Sequence, residues 1–147
     1  MMTSIDLLHI REAELERRLA LMLDLIDQAT GSTRALELEL QLHRVVGLWR
    51  ATFVLRDRLV YQPIAAGGDH PRANLASACR QRMEVLADEV EEFARCWSSS
   101  ALISIALPRF RASASALVAA IACRLDSDRR LLAPHQGEPP VQTRMVA

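Results

Sequence analysis

The sequence predicts an all-α protein, an up-down-up-down antiparallel four-helix bundle, and three observations predict it. Half of the 147 residues are apolar but only 4% are aromatic, and 22 Leu and 22 Ala favour helix over the β-branched and aromatic content of strands. The apolar residues recur at steps of three and four. Short Gly-, Pro- and Ser-containing stretches divide the chain into four segments of about 22 to 28 residues, and short connections place consecutive helices side by side.

The first helix opens at Thr3, where Asp6 three residues on makes a capping-box arrangement, and it closes before Gly31. Its stripe is Ile5, Leu8, Leu15, Leu19, Met22 and Ile26. The second starts near Ser32 or Thr33 and runs past Tyr61, with Leu42, Val46, Trp49, Phe53 and Val60 on one face. Pro63 and the Ala-Ala-Gly-Gly-Asp-His-Pro stretch at 65–71 end it. Asp69 then caps the third helix, and Pro71 lies in its first turn. Leu75, Cys79, Met83, Leu86, Val90, Phe93 and Trp97 form the third stripe. Beyond Ser98-Ser99-Ser100, the apolar piece Ala101 to Leu107 reads as a helical turn, a lid or a contact patch. Pro108 begins the fourth helix, with Phe110, Ala114, Leu117, Ile121 and Leu132 facing in. Residues 1–134 form one domain, and 135–147, with Gln-Gly-Glu-Pro-Pro, read as a disordered tail.

The 18 basic residues, all Arg, balance 18 acidic ones, which removes the electrostatic case for nucleic acid or an anionic membrane as partner. The absence of Lys reads as codon bias toward GC-rich DNA. No apolar run matches a signal peptide or a membrane span, so the expected location is the cytoplasm. Cys79, Cys96 and Cys123 form no C-x-x-C pair and are expected to be reduced and buried.

A shift of 71 residues aligns the first helix with the third and the second with the fourth. It pairs Arg11 with Arg82, Leu15 with Leu86, Ala51 with Ala122, Asp57 with Asp128, Arg58 with Arg129 and Pro63 with Pro134. The Asp-Arg clusters of VLRDRLVYQP and LDSDRRLLAP thereby fall at one end of a doubled hairpin. Charge interrupts the apolar stripes near there: Glu12 between Leu8 and Leu15, Asp57 four residues after Phe53, Asp128 seven after Ile121, and Arg124 on the same face as Asp128. Unpaired buried charge is costly. These residues therefore read as a metal site of inward carboxylates, as a charge-paired layer bridged by Arg124, or as solvated helix ends.

These residues resemble hemerythrin-like (HHE cation-binding) domains over about residues 4 to 135. FVLRDRLVYQP is similar to the family's H-x-x-x-E motif followed by an apolar pair and Pro, with Phe53 in the His position and Asp57 in the Glu position. RLDSDRRLLAP matches likewise, with Arg124 in the His position and Asp128 in the Glu position, and the segment at Pro108-Arg109-Phe110-Arg111 resembles the start of the family's fourth helix. The lone His positions of the first and third helices fall on Glu12 and Met83. The resemblance implies a bundle of two hairpins, and in the family these His residues hold a di-iron centre that binds oxygen or senses iron and redox state. Here all four positions carry other residues. The expectation is therefore a non-enzymatic regulatory or interaction bundle with no resident cofactor and an unidentified protein partner. The alternative is a metal-binding or oxygen-responsive domain holding iron or another divalent cation on Glu12, Asp57 and Asp128. A third reading, by analogy with small anti-sigma bundles, is a module that binds a transcription or signalling protein.

Other candidates are plainer. His9, His43, His70 and His135 are scattered, with no pair at i and i+4. Ser113 and Ser115 read as close-packing residues, Trp49 and Tyr61 as core anchors, and the Arg56-Arg58 and Arg129-Arg130 stretches as solvated helix ends suited to the C-terminal dipole.

Overall fold

A computed structural model describes residues 2–28 and 34–133, and among these every regular element is helical. The elements are α1 (Ser4–Gln28), α2 (Ala35–Arg56), a π-helical turn (Asp57–Tyr61), α3 (Gln62–Ala65), α4 (His70–Cys96), α5 (Ser100–Ile105) and α6 (Leu107–Leu131). The long helices α1 and α4 each pack against both α2 and α6, so the four enclose a common core. The expected second-helix start at Ser32 or Thr33, the stop at Gly31 and the tail 135–147 lie outside the described residues.

Capping chemistry sets the starts. The Thr3 backbone N–H donates to Asp6 Oδ2 at 2.9 Å and the Asp6 N–H to Thr3 Oγ1 at 3.1 Å, the reciprocal pattern of a capping box. Asp69 Oδ1 accepts from the Arg72 N–H at 3.2 Å, with Pro71 in the first turn of α4. Ser99 Oγ accepts from the Leu102 N–H at 3.4 Å and caps the short helix α5, which takes up most of the 101–107 piece and packs on α2 and α6, with Ile103 buried; Leu107 already opens α6. Replacing Asp69 by Ala is expected to lower stability by about 1 kcal/mol, read as a fall in the midpoint of urea unfolding.

Most of the predicted stripes of α1, α4 and α6 are buried, among them Leu8, Leu15, Leu19, Met22, Ile26, Cys79, Met83, Leu86, Val90, Phe110, Ala114 and Ile121, while Ile5, Leu75 and Leu117 are half-buried. At the α5 end, Trp97 meets the edge of Phe110 with ring centroids 5.3 Å apart, and Phe93 lies 5.8 Å from Phe110. The opposite end, where α2 and α6 finish, is polar. There the guanidinium of buried Arg72 donates to the carbonyls of Leu132 (3.3 Å) and Ala133 (3.1 Å), closing the C-terminus of α6.

Three expectations are corrected. Pro63 does not end the second helix: the chain stays helical to Ala65. Proline removes an N–H and its ring collides with the carbonyl four residues back. The π turn ahead of it accommodates this, because Gln62 already bonds five residues back, to the Asp57 carbonyl. The inward face of α2 is also set differently. Leu42, Val46 and Trp49 of the expected line are buried, but Leu38, Val45, Thr52 and Arg56 complete the seam, and Phe53 and Val60 lie at its margin. Finally, only Cys79 of the three thiols is buried; all three are free, and Cys96 and Cys123 fall off the apolar phase of their helices and face outward.

Candidate functional site

The polar end of the core is one connected network. Glu12 projects from α1, Arg56 from the last position of α2, Tyr61 from the π turn and Asp128 from the last turns of α6. Their exposures are 2%, 4%, 1% and 0%, so water solvates none of them appreciably. The Arg56 guanidinium lies at the centre. One terminal nitrogen donates to Glu12 Oε1 at 2.5 Å, and Nε donates to the Tyr61 hydroxyl at 2.9 Å while lying 3.9 Å from Asp128 Oδ2. The Tyr61 O–H in turn donates to Asp128 Oδ2 at 2.5 Å.

Two further arginines complete the charge balance. Arg129 donates to Glu12 Oε2 from Nε at 3.2 Å and from a terminal nitrogen at 2.8 Å, and it also reaches Glu16 one turn along α1. Arg124 Nε lies 3.4 Å from Asp128 Oδ1 without hydrogen-bond alignment, and its terminal nitrogen donates to Ser127 Oγ at 2.7 Å. Three guanidiniums (Arg56, Arg124, Arg129) thus meet three carboxylates (Glu12, Glu16, Asp128), so the layer is internally neutral.

The environment shifts the titrating groups in physically consistent directions. Burial works against the charge of Arg56, but the fields of Tyr61, Glu12 and Asp128 outweigh it and hold the guanidinium more firmly protonated than usual. Burial pushes the Tyr61 phenol well above its ordinary value; Arg56 opposes the rise and the Asp128 carboxylate adds to it. Burial also raises the Cys79 thiol, and the charge of Asp128 raises it further. For Arg129 the pairing with Glu16 and Glu12 overcomes the cost of burial, again favouring the cation.

The sequence-predicted site residues divide. Glu12 and Asp128 are brought into one layer, but the bridging guanidinium belongs to Arg56, and Arg124 occupies a flanking position. Asp57 is elsewhere: it accepts from Arg80 Nε at 2.6 Å and from the Gln62 amide at 2.8 Å, on the side facing α4. Asp57 follows the inward Arg56 by one residue on a helix still regular to that point, its N–H bonded to the Phe53 carbonyl, so it falls off the buried seam, while the π turn beyond it brings Tyr61 into the core. Arg56 and Arg129, expected as solvated helix ends, are network members instead. Tyr61 is buried as a core anchor and carries a polar role besides. Among the described residues His9, His43 and His70 are exposed, and His135 lies outside them.

This donor set does not fit a di-iron centre. The four positions where the resemblance implied His ligands hold Glu12, Phe53, Met83 and Arg124, with Met83 buried among apolar side chains and the Phe53 ring centroid 6.2 Å from that of Trp49. Between the two buried carboxylates stands Arg56, a fixed positive charge with no lone pair to offer a metal. Among the described residues no group of three or more His, Cys, Asp or Glu side chains is placed to hold a metal ion. The one hydroxyl held against a carboxylate in the layer is Tyr61 on Asp128, and a cleft of about 340 Å³ lined by Tyr61, Gln62, Ala76 and Arg80 borders it. No protein-family model, curated protein or solved structure matches the chain.

Proposed function

We propose that the chain is an up-down-up-down antiparallel four-helix bundle, hemerythrin-like in outline, that serves as a non-enzymatic regulatory or interaction module. Its metal-binding end has become a salt-bridged layer. The observation that carries this reading is Arg56, whose guanidinium fills the space between Glu12 and Asp128 where a cation would have to lie. A permanent cation on a side chain satisfies the same buried carboxylates that a metal ion would otherwise neutralise. The proposal places the protein in the cytoplasm with a protein partner. Two observations support it: a net charge of zero, and no helix among the described residues long and apolar enough to cross a membrane.

Iron content is the direct test. Protein expressed in iron-supplemented medium and purified without chelator is expected to carry substoichiometric iron and to show no visible absorption that responds to oxygen. Stoichiometric iron with an oxygen-sensitive visible band would overturn the reading in favour of a carboxylate metal site.

A further inference from the structure

The outward face of α2 has a pattern its own fold does not use. Opposite the buried seam, Leu36, Leu40 and Val54 are 62%, 51% and 47% exposed, and the exposed Gly47 and Ala51 lie on the same line. The spacing 36, 40, 47, 51, 54 follows steps of three, four and seven, the signature of a helix face that meets another helix. In α1, α4 and α6, by contrast, exposed large apolar residues occur singly or far apart, as Ile10, Leu21, Val85 and Leu131.

Gly47 sharpens the pattern. A mid-helix glycine costs about 1 kcal/mol relative to alanine, and a Cβ built at Gly47 meets nothing within 4 Å. No contact among the described residues requires glycine there. A second helix crossing at that point would, since the missing side chain lets two backbones approach closely.

The line is also symmetric about Gly47. Leu40 and Val54 each lie seven residues from it, His43 and Ala51 four, and Leu36 and Arg58 eleven. A two-fold axis through Gly47 therefore sets Leu40 against Val54 of a second copy, and Val54 against its Leu40, as an isologous contact requires. It also brings Glu37, beside Leu36, to Arg58 of the second copy. Arg58 is exposed and makes no ion pair among the described residues, and Glu37 holds only an exposed i,i+3 pair with Arg34, a contact of little energy that exchanges readily. A parallel pairing would instead stack Glu37 on Glu37 and Arg58 on Arg58.

We infer that this face is a self-association surface, on which two copies of the chain pack antiparallel through α2 and cross at Gly47. The line from Leu36 to Arg58 spans about 33 Å at 1.5 Å per residue. One helix face of that length lies toward the low end of specific interfaces, about 1,200 Å² in total or less, so the dimer is expected to form in the micromolar range. The inference does not depend on the fate of the metal site.

Sedimentation velocity on the full chain from about 1 to about 500 µM should show a reversible monomer–dimer equilibrium. Leu40→Arg and Gly47→Leu should each weaken it at least about tenfold, a change of about 1.4 kcal/mol, while circular dichroism melting stays unchanged or, for Gly47→Leu, rises. Glu37→Arg and Arg58→Glu should each weaken association, and the two together should restore it. A chain that stays monomeric throughout, or a dimer indifferent to Leu40→Arg and Gly47→Leu, would overturn the inference. Failure of the charge-swapped double variant to recover would overturn the antiparallel pairing.

Discussion

Replacing Arg56 by Met is expected to lower the free energy of unfolding by about 3–5 kcal/mol, enough to unfold a marginal domain of this size near physiological temperature. The change removes one charge and weakens the pairing of two buried carboxylates. Glu12 keeps Arg129 as a partner, whereas Asp128 is left with Tyr61 and the poorly aligned Arg124. Met fills much of the same volume, so a loss of this size would reflect stranded charge and not a cavity. The paired control replaces the layer together, as Glu12→Leu, Arg56→Met, Tyr61→Phe and Asp128→Leu. The arginines that remain are partly exposed, Arg129 keeping Glu16 and Arg124 keeping Ser127, so that variant should recover most of the loss. Urea unfolding midpoints of the two variants measure both outcomes. A loss below about 1 kcal/mol for Arg56→Met would show that water reaches the layer.

The second large effect is alkaline. In the unfolded chain Tyr61 ionises near about pH 10; in the folded protein its pKa is raised, chiefly by burial. Above the unfolded value the unfolded chain loses a proton that the native state keeps. The stability tied to Tyr61 is therefore fully present below about pH 10 and is lost as pH rises above it, at up to about 1.4 kcal/mol per pH unit. The raised Cys79 thiol adds a loss of the same sign, beginning from its own, lower, unfolded value. Tyr61 is the only tyrosine of the chain, so tyrosinate absorbance reports this one group. The expected trace is flat through about pH 10 and then rises together with the loss of helical circular dichroism. Tyr61→Phe should flatten the alkaline fall in stability by about one proton's worth. A simple titration centred near about pH 10 with helicity intact would show that the phenol is open to solvent.

Much of this arrangement is legible in the sequence because it rests on local chemistry. The Thr3–Asp6 box and the Asp69 cap need only residues three apart, and the stripes of α1, α4 and α6 keep one phase along each helix. Glu12 and Asp128 announce themselves as charges on otherwise apolar lines. Arg56 was harder to place for two reasons. An arginine near a helix C-terminus has a sufficient explanation in the dipole, and α2 offers two apolar lines differing by one residue. The line through Leu38, Leu42, Val45, Trp49 and Thr52 carries Arg56 inward at the same steps of three and four. That seam was visible without the structure. The π turn carries no marker residue, so the sequence does not show Tyr61 turning inward ahead of Val60; the equivalence of Asp57 with Asp128 comes instead from following the line through Phe53.

A π turn is what an α-helix becomes when one residue is inserted and the flanking turns keep their places. Seen in this way, the second helix is a regular helix of one length wearing a sequence one residue longer, with the surplus absorbed between Asp57 and Tyr61. Shortening that stretch by a residue would return the following positions to ordinary α spacing. Tyr61 would then swing about 100° around the helix axis, its hydroxyl would leave Asp128, and Pro63 would meet the turn before it as a helix breaker. The aromatic hydroxyl within the polar layer and the tolerance of a mid-helix proline are thus inherited together from a single extra residue.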